Sequence, residues 1–243
     1  MLQWHDETVN IHTHTFGCAL FAVFPLHFYT RLYSKVDGAQ PIDKTMFFVY
    51  FFGVAVCFAC SSSFHVISNL NPRVSKIANR LDYCGIVILM WSASIASIHF
   101  AFVCHPTLRS MHWFLVSASA SGCIAFTLYP EFIGSRFRAY RTLMYSSLGL
   151  FGLVFMLHGI YLDGFAIQRE RLALRWMILM AALNFIGAAF YATTFPECRY
   201  PYRSDFLGAS HQLLHTFVVL AGIAHYKGLT DAFLAIRTKP LVC

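Results

Sequence analysis

The sequence predicts an all-α membrane protein, built as a bundle of seven transmembrane helices. Hydrophobic residues make up 58% of the 243 positions and charged residues only 12%, a balance outside the range of soluble globular domains. Seven apolar runs are each long enough to cross the hydrocarbon core of a bilayer, and short polar connections separate them. Together these observations exclude a soluble domain.

The predicted spans follow one another with little sequence between them. They lie near residues 15–33, 45–67, 81–104, 111–128, 139–161, 172–194 and 207–226. Breaks such as SKVDGAQPIDK and PECRYPYRSD carry charges and proline and are too short for an extramembrane domain, so residues 1–243 are predicted to form one transmembrane domain. The first span is expected to serve as its own uncleaved insertion signal, because no short apolar segment with a cleavage site opens the chain.

The charge distribution gives little information about orientation. The chain has a net charge of +7, but its 18 basic residues are shared almost evenly between the two predicted faces. The positive-inside rule therefore assigns no orientation to the chain. The excess positive charge favours attraction to anionic lipid headgroups. No nucleic-acid-binding motif is present in the sequence, so nucleic acid is not an expected partner.

Several polar residues in or near the spans have a structural interpretation. His12 and His14 are expected to make local capping and interfacial hydrogen bonds, with contact to a substrate headgroup as the alternative. His99 and His158 are expected to pack within the bundle or at its interface. Asn184, midway along the sixth span, is expected to form a hydrogen bond between helices.

Other abundant residue types are interpreted in the same way. Cys57 and Cys60 lie on one side of the second span, and no second pair completes a metal site, so they are expected to pack between helices. The 25 phenylalanines are expected to face lipid.

Four ionisable residues are predicted to share one end of the bundle. His65 ends the second span, Asp82 begins the third, and His211 and His215 begin the seventh. Because alternate spans run in opposite directions, all four meet the face of the N-terminus. Ionisable groups within a membrane are costly and usually face the bundle interior for a functional reason.

The histidine spacing predicts a metal site. His211 and His215 lie one helical turn apart on one face, so both imidazoles can bind one ion, and His65 can supply a third ligand from another helix. Three histidines with an open fourth position are typical of a hydrolytic zinc centre. The alternative is that these are separate interfacial histidines hydrogen-bonded to water or backbone.

Several motifs carry a family resemblance. These are ETVNIHTHTFG at 7–17, SSSFH at 61–65, LDYCGI at 81–86 and SHQLLH at 210–215, together with Asp205. With them the chain resembles the progestin and adipoQ receptor family, which includes the adiponectin receptors and the haemolysin III-related proteins. The resemblance covers nearly the whole sequence.

The resemblance implies a role for each residue of the cluster. His65, His211 and His215 would be zinc ligands, Asp82 would hold the zinc-bound water, and Ser61 would lie beside the metal. It also implies that the N-terminus is cytosolic and the C-terminus outside the cell or lumenal, in the plasma membrane or an internal one.

Two departures from the family pattern stand out. Cys198 follows Pro196 and Glu197 where the family usually has a basic residue, and Arg199 comes one place later. Only about 14 residues precede the first predicted span, so the long cytosolic N-terminal region of the animal receptors is not expected, and nothing in the sequence favours a protein-hormone ligand.

The chemistry of such a site favours hydrolysis of a lipid amide. Zinc held by three neutral imidazoles lowers the pKa of bound water from about 15.7 to about 7 and polarises a carbonyl. Asp82 would accept the proton of that water and Ser61 would donate to the developing oxyanion. Acyl chains surround the site, so the expected substrate is a ceramide-like lipid.

A second hypothesis is a non-catalytic receptor or regulator in which zinc is structural. A transporter or channel is disfavoured, because the predicted spans lack a continuous polar path or paired breaks at the membrane midplane.

Overall fold

The computed structural model describes residues 5–68, 70–129, 135–203, 206–241 and 243. Throughout these ranges the regular structure is helical. The α-helices are α1 (Thr8–Arg31), α2 (Pro41–Ile67), α3 (Pro72–Ala101), α4 (Pro106–Leu128), α5 (Arg138–Leu150), α6 (Gly152–Asp163), α7 (Phe165–Arg171), α8 (Leu174–Thr193) and α9 (Ser210–Arg237). Short 3-10 turns, Tyr33–Lys35 and Ser135–Phe137, lie in the connections after α1 and before α5.

Seven helical segments in the described part of the chain are long and apolar enough to cross a membrane, which confirms the predicted number. Helices α5 and α6 together make up one of them, Arg138–Asp163. Helix α7 has only 7 residues, too few to cross the hydrocarbon core, and connects α6 to α8.

Three helices extend furthest beyond their predicted runs. Helix α1 begins at Thr8 rather than near residue 15, α3 begins at Pro72 rather than near residue 81, and α9 continues to Arg237 rather than ending near residue 226. These extensions contain polar residues, which lower the hydropathy of a sequence window without interrupting the helical backbone. The inward face of the α9 extension remains apolar, since Leu229 and Phe233 are buried in the core.

The helix starts follow from local sequence. Pro41, Pro72 and Pro106 each stand in the first turn of a helix, where the missing N–H of proline costs no hydrogen bond. Asn71 caps α3, because its side chain accepts a hydrogen bond from the Arg73 backbone N–H at 2.8 Å.

The core is centred on α1, α2, α3 and α9. Helix α2 packs against α1 and α3, and α8 packs against α9. Many phenylalanines fill this core, so the expectation that they face lipid is wrong for Phe21, Phe28, Phe47, Phe51, Phe58, Phe100, Phe102, Phe155 and Phe233. Hydropathy alone cannot separate an inward apolar residue from a lipid-facing one, because both environments are apolar.

Small residues bring α2 and α3 close together. A Cβ added at Gly85 would lie 3.0 Å from the Cys57 Cα, and one at Gly53 would collide with the Ser92 side chain. Cys57 is buried in this contact, and Cys60 lies nearby. The interpretation of the cysteine pair as helix packing is therefore confirmed.

Two of the other polar predictions have different outcomes. His158 packs in the bundle as expected, with its Nδ1 atom 2.9 Å from His112 Nε2 on α4. The prediction for Asn184 is wrong: its Nδ2 donates to the Met180 carbonyl one turn earlier on the same helix, at 3.0 Å. A membrane-buried amide can satisfy its donor within its own helix, and spacing alone does not reveal this choice.

A polar network and a disulfide close the end of the bundle reached by the C-terminal half of α9. Asp43 is fully buried and lies 2.9 Å from His99 Nε2 and 2.8 Å from the Arg237 guanidinium. His99 is therefore a packing residue, as predicted. Cys104 and Cys243 form a disulfide across 139 positions of sequence, a pairing that the sequence analysis did not predict.

Candidate metal centre

Three histidines converge at the other end of the bundle. His65 lies in the last turn of α2, and His211 and His215 lie in the first two turns of α9. The His211 Nε2 atom is 3.3 Å from His65 Nε2 and 3.1 Å from His215 Nε2. Among the described residues these three form the group with metal-binding potential, with ligand atoms within 4.8 Å of one another.

The spacing of these nitrogens fits a zinc ion. Tetrahedral zinc with Zn–N bonds of about 2.0–2.1 Å holds its ligand nitrogens about 3.3 Å apart, and the two separations that involve His211 are 3.1 and 3.3 Å. His65 and His215 are nearly inaccessible to solvent. The residues present therefore fit a three-imidazole metal centre.

The outward nitrogens of two rings have partners that favour this arrangement. His65 Nδ1 lies 2.7 Å from Glu7 Oε2, and His215 Nδ1 lies 3.3 Å from the Asn10 backbone carbonyl. Partners of this kind hold the proton on Nδ1 and leave the Nε2 lone pair free to bind a metal.

Glu7 is held in its ionised form. Burial raises the pKa of the Glu7 carboxyl, but the contact with His65 and the hydrogen bond from Asn10 lower it more strongly, and the net pKa is about 2. The charged carboxylate thus faces the His65 ring at neutral pH.

Asp82 and Ser61 lie beside the histidines and outside the group with metal-binding potential. Both side chains are buried, and the Ser61 hydroxyl hydrogen-bonds the Asp82 carboxylate. Ser61 stands one helical turn before His65 on α2, and Asp82 stands in the third turn of α3. The structure therefore brings together all five residues singled out from the sequence, whereas Asp205 lies outside the described residues.

The loop before α9 positions its first turn. Glu197 Oε1 accepts hydrogen bonds from the backbone N–H and the hydroxyl of Ser210, both at 2.9 Å. A carboxylate at a helix N-terminus is electrostatically favourable and satisfies donors that the helix leaves unpaired. Glu197 thus fixes the start of α9, immediately before His211, although the neighbouring Cys198 departs from the family pattern.

A cavity of about 290 Å³ opens from this centre into the bundle. Ser61, Asp82, His211 and His215 line one end of it, and the remaining wall is mostly apolar and includes His225 on α9. Ten residues of α-helix separate His215 from His225, so the cavity extends about 15 Å along the helix axis.

Arg141 adds a positive charge to the wall of this cavity. It is buried, and its guanidinium carbon lies 4.8 Å from the centre of the Tyr83 ring, the geometry of a cation–π contact. Tyr191 and Asn184 line the same cavity. Arg141, Tyr191 and Asn184 therefore add polar groups to the cavity wall, in addition to the polar residues at its metal-binding end.

Part of the surroundings of this site was not predicted from the sequence. His12 is exposed, but His14 is buried and stacks on His215, with ring centres 3.7 Å apart and planes 6° apart. The expectation of local capping is therefore wrong for His14. The available signal was the spacing of Glu7, Asn10 and His14, which places all three on one helical face once α1 begins at Thr8.

Comparison with known proteins identifies a matching family and similar sequences. A sequence profile of the family described as haemolysin-III related matches residues 2–226. The chain is 32% identical to the adiponectin receptor protein of Drosophila melanogaster and 35% identical to progestin and adipoQ receptor-like protein 1 of Caenorhabditis elegans, each over 227 residues. It is 28% identical over 239 residues to the ADIPOR-like receptor IZH1 of Eremothecium gossypii.

The coverage differs between the chain and its relatives. The alignments include 93% of this chain for the two animal proteins and 98% for the fungal protein. They include 50%, 52% and 75% of the respective relatives, so the chain spans about half the length of the animal proteins it matches.

Proposed function

Since the chain belongs to the haemolysin-III-related family, we propose that it is an adiponectin-receptor-like membrane protein whose histidine centre holds zinc and hydrolyses a lipid amide. The observation that carries this proposal is the position of the three histidines at one end of a largely apolar cavity. A cavity that extends about 15 Å along the helix axis accommodates much of an extended acyl chain. Ceramide, with an amide next to its acyl chain, has the required shape.

The chemistry of the centre depends on the metal and on two side chains. Zinc bound by three neutral imidazoles supplies polarisation of the substrate carbonyl and acidification of water. The Asp82 carboxylate takes a proton from the attacking water and returns it to the leaving nitrogen. The Ser61 hydroxyl donates a hydrogen bond to the developing oxyanion.

The water oxygen forms a bond to the carbonyl carbon, the carbon–nitrogen bond breaks, and the nitrogen takes up a proton. The products are a fatty acid and a free sphingoid base. Arg141, in the cavity wall, contributes positive charge to the cavity in which the fatty acid forms.

The distribution of cysteines supports the orientation with a cytosolic N-terminus. The Cys104–Cys243 disulfide lies at the end of the bundle opposite the histidines, and disulfides persist in oxidising compartments. Cys198, in the loop before His211, is an exposed free thiol. We therefore assign the histidine end to the cytosol and the disulfide end to the outside or the lumen.

A structural role for zinc is the second candidate. His65 belongs to α2 and His211 and His215 belong to α9, so one ion would tie together helices that are distant in sequence. In this case zinc would stabilise a receptor or regulator without turnover. In both proposals zinc would join α2 to α9. The two proposals differ only in whether the centre catalyses a reaction.

The test is fatty acid release from ceramide by the purified protein in detergent. The proposal expects release that stops when a chelator removes the metal and resumes when zinc is restored. Release at the same rate in metal-free protein, or no release by the zinc-loaded protein, would contradict the hydrolase proposal and leave the structural one.

A further inference from the structure

We propose that Glu7, the residue before α1, and the first two turns of α1 form an outer shell of the metal centre, in which Glu7 orients His65 and the Asn10 carbonyl orients His215. This inference rests on the proposed zinc centre and adds a role for a helix that supplies none of its three ligands. Its consequence is that zinc affinity depends on the position of α1.

The Glu7 carboxylate lies at ion-pair distance from the outer nitrogen of His65. Its Oε2 atom lies 2.7 Å from His65 Nδ1 and accepts a hydrogen bond from Asn10 Nδ2 at 2.6 Å. Asn10 is buried in the first turn of α1, so this second contact holds the carboxylate in place from the adjoining helix. A carboxylate on the outer nitrogen of a metal-binding histidine fixes the ring orientation and raises the basicity of the inner nitrogen.

The second contact uses backbone rather than a side chain. The Asn10 carbonyl lies 3.3 Å from His215 Nδ1, close enough to accept its proton. A backbone carbonyl has two lone pairs, so it can accept from a side chain as well as from its own helix. The position of this acceptor is therefore set by where α1 lies against α9.

His14 completes the same face of α1. Its ring stacks on His215 at 3.7 Å, and neither of its nitrogens has a hydrogen-bond partner among the described residues. Glu7, Asn10 and His14 are spaced at i, i+3 and i+7, which places them on one side of the helix facing the centre. The stack restricts rotation of the His215 ring.

A further contact connects the start of α1 to α9. Gln212 Nε2 donates to the Asp6 carbonyl at 3.0 Å, from the residue that follows His211. The segment before α1 is thus attached to the same turn of α9 that carries a metal-binding histidine. Metal binding and docking of α1 are therefore expected to stabilise each other.

The experiment compares Glu7→Gln with the matched control Asp6→Asn. Both remove one carboxylate charge, but the Asp6 side chain is exposed and lies next to His5 rather than next to the histidine centre. Its Oδ1 accepts a hydrogen bond from the Glu7 backbone N–H at 3.1 Å, which the asparagine Oδ1 also accepts. Zinc affinity is measured in detergent by competition with a chelator. We expect Glu7→Gln to bind zinc about 10-fold to 100-fold more weakly than wild type, and Asp6→Asn to match wild type.

Two further measurements distinguish an effect on folding from an effect on the orientation of the His65 ring. The melting temperature of the metal-free protein should be similar in both variants, and Glu7→Asp, which retracts the carboxylate by one methylene, should have intermediate affinity. Equal zinc affinity in Glu7→Gln and Asp6→Asn would overturn the inference, as would a loss in Glu7→Gln fully explained by an unfolded metal-free state.

Zinc binding and ceramide hydrolysis by the wild-type protein distinguish a failure of this inference from a failure of the proposed function. Absence of zinc binding by wild type would overturn both. Wild-type zinc binding without ceramide hydrolysis would remove the catalytic proposal alone, and the effect of Glu7→Gln on affinity would still decide whether α1 forms an outer shell.

Discussion

Asp43 at the start of α2 and Arg237 at the end of α9 form a two-point ion pair, with both contacts at 2.8 Å. The pair lies at the end of the bundle opposite His65 and His211, so α2 and α9 are connected at both ends. Because Asp43 is fully buried, removal of Arg237 would leave its charge without its main counter-charge.

We therefore expect Arg237→Met to destabilise the protein by about 3–5 kcal/mol, the usual cost of breaking a buried ion pair from one side. The measurement is thermal or denaturant unfolding in detergent. Lys239→Met is the control, because the Lys239–Glu170 pair is exposed and should contribute little. Equal stability of the two variants would show that the Asp43 network does not hold the bundle together.

Zinc content tests the metal centre itself. The purified protein should contain about one zinc ion per chain, and His211→Ala should lose it, because two imidazoles alone hold zinc weakly. His12→Ala is the matched control, since His12 is exposed on the same end of the bundle. Full zinc content in His211→Ala, measured by elemental analysis, would remove this residue from the ligand set.

The topology can be tested with the two kinds of cysteine. A membrane-impermeant thiol reagent should label Cys198 only after the membrane is permeabilised, and Cys198→Ser should remove this signal. Cys243 should not react with the reagent until the Cys104–Cys243 disulfide is reduced. Labelling of Cys198 in intact cells or sealed vesicles would place the histidine end outside the cytosol.

The size of the cavity predicts a chain-length preference. Ala181 lines the cavity on α8, ten residues and about 15 Å before Tyr191. We expect Ala181→Phe to reduce turnover of long-chain ceramide at least about 10-fold while leaving zinc content and short-chain turnover nearly unchanged, because the added ring fills the distal part of the cavity. Ala125→Phe on the exposed face of α4 is the control.

A uniform loss of turnover for all chain lengths in Ala181→Phe would contradict the assignment of the cavity to the acyl chain. Unchanged turnover of every substrate would do so as well, since a phenyl ring cannot fit in the cavity without displacing a chain.

Much of the architecture could be predicted from the sequence, because a bilayer imposes a fixed length on apolar helices. The alternating direction of the spans places His65, at the end of one helix, at the same depth as His211, at the start of another. The i, i+4 spacing then puts His215 on the same face. These constraints are local or depend only on counting spans, and the structure brings the three side chains together.

The remaining features depend on three-dimensional packing. The role of His14 was hidden because the polar first turns of α1 reduce the hydropathy by which spans are recognised. Cys104 and Cys243 are 139 residues apart, and no spacing rule connects them. The inward phenylalanines, such as Phe47, have the same composition signal as lipid-facing ones.

The most direct test of the account is ceramide hydrolysis by purified wild type and Asp82→Asn at matched zinc occupancy, with a chelator control. Asparagine preserves the shape and a hydrogen bond to Ser61 but cannot take the proton from water. The account predicts that zinc is retained and that turnover falls about 100-fold or more, the scale of a lost general base. Equal rates in the two proteins, or a wild-type rate that the chelator does not change, would contradict it.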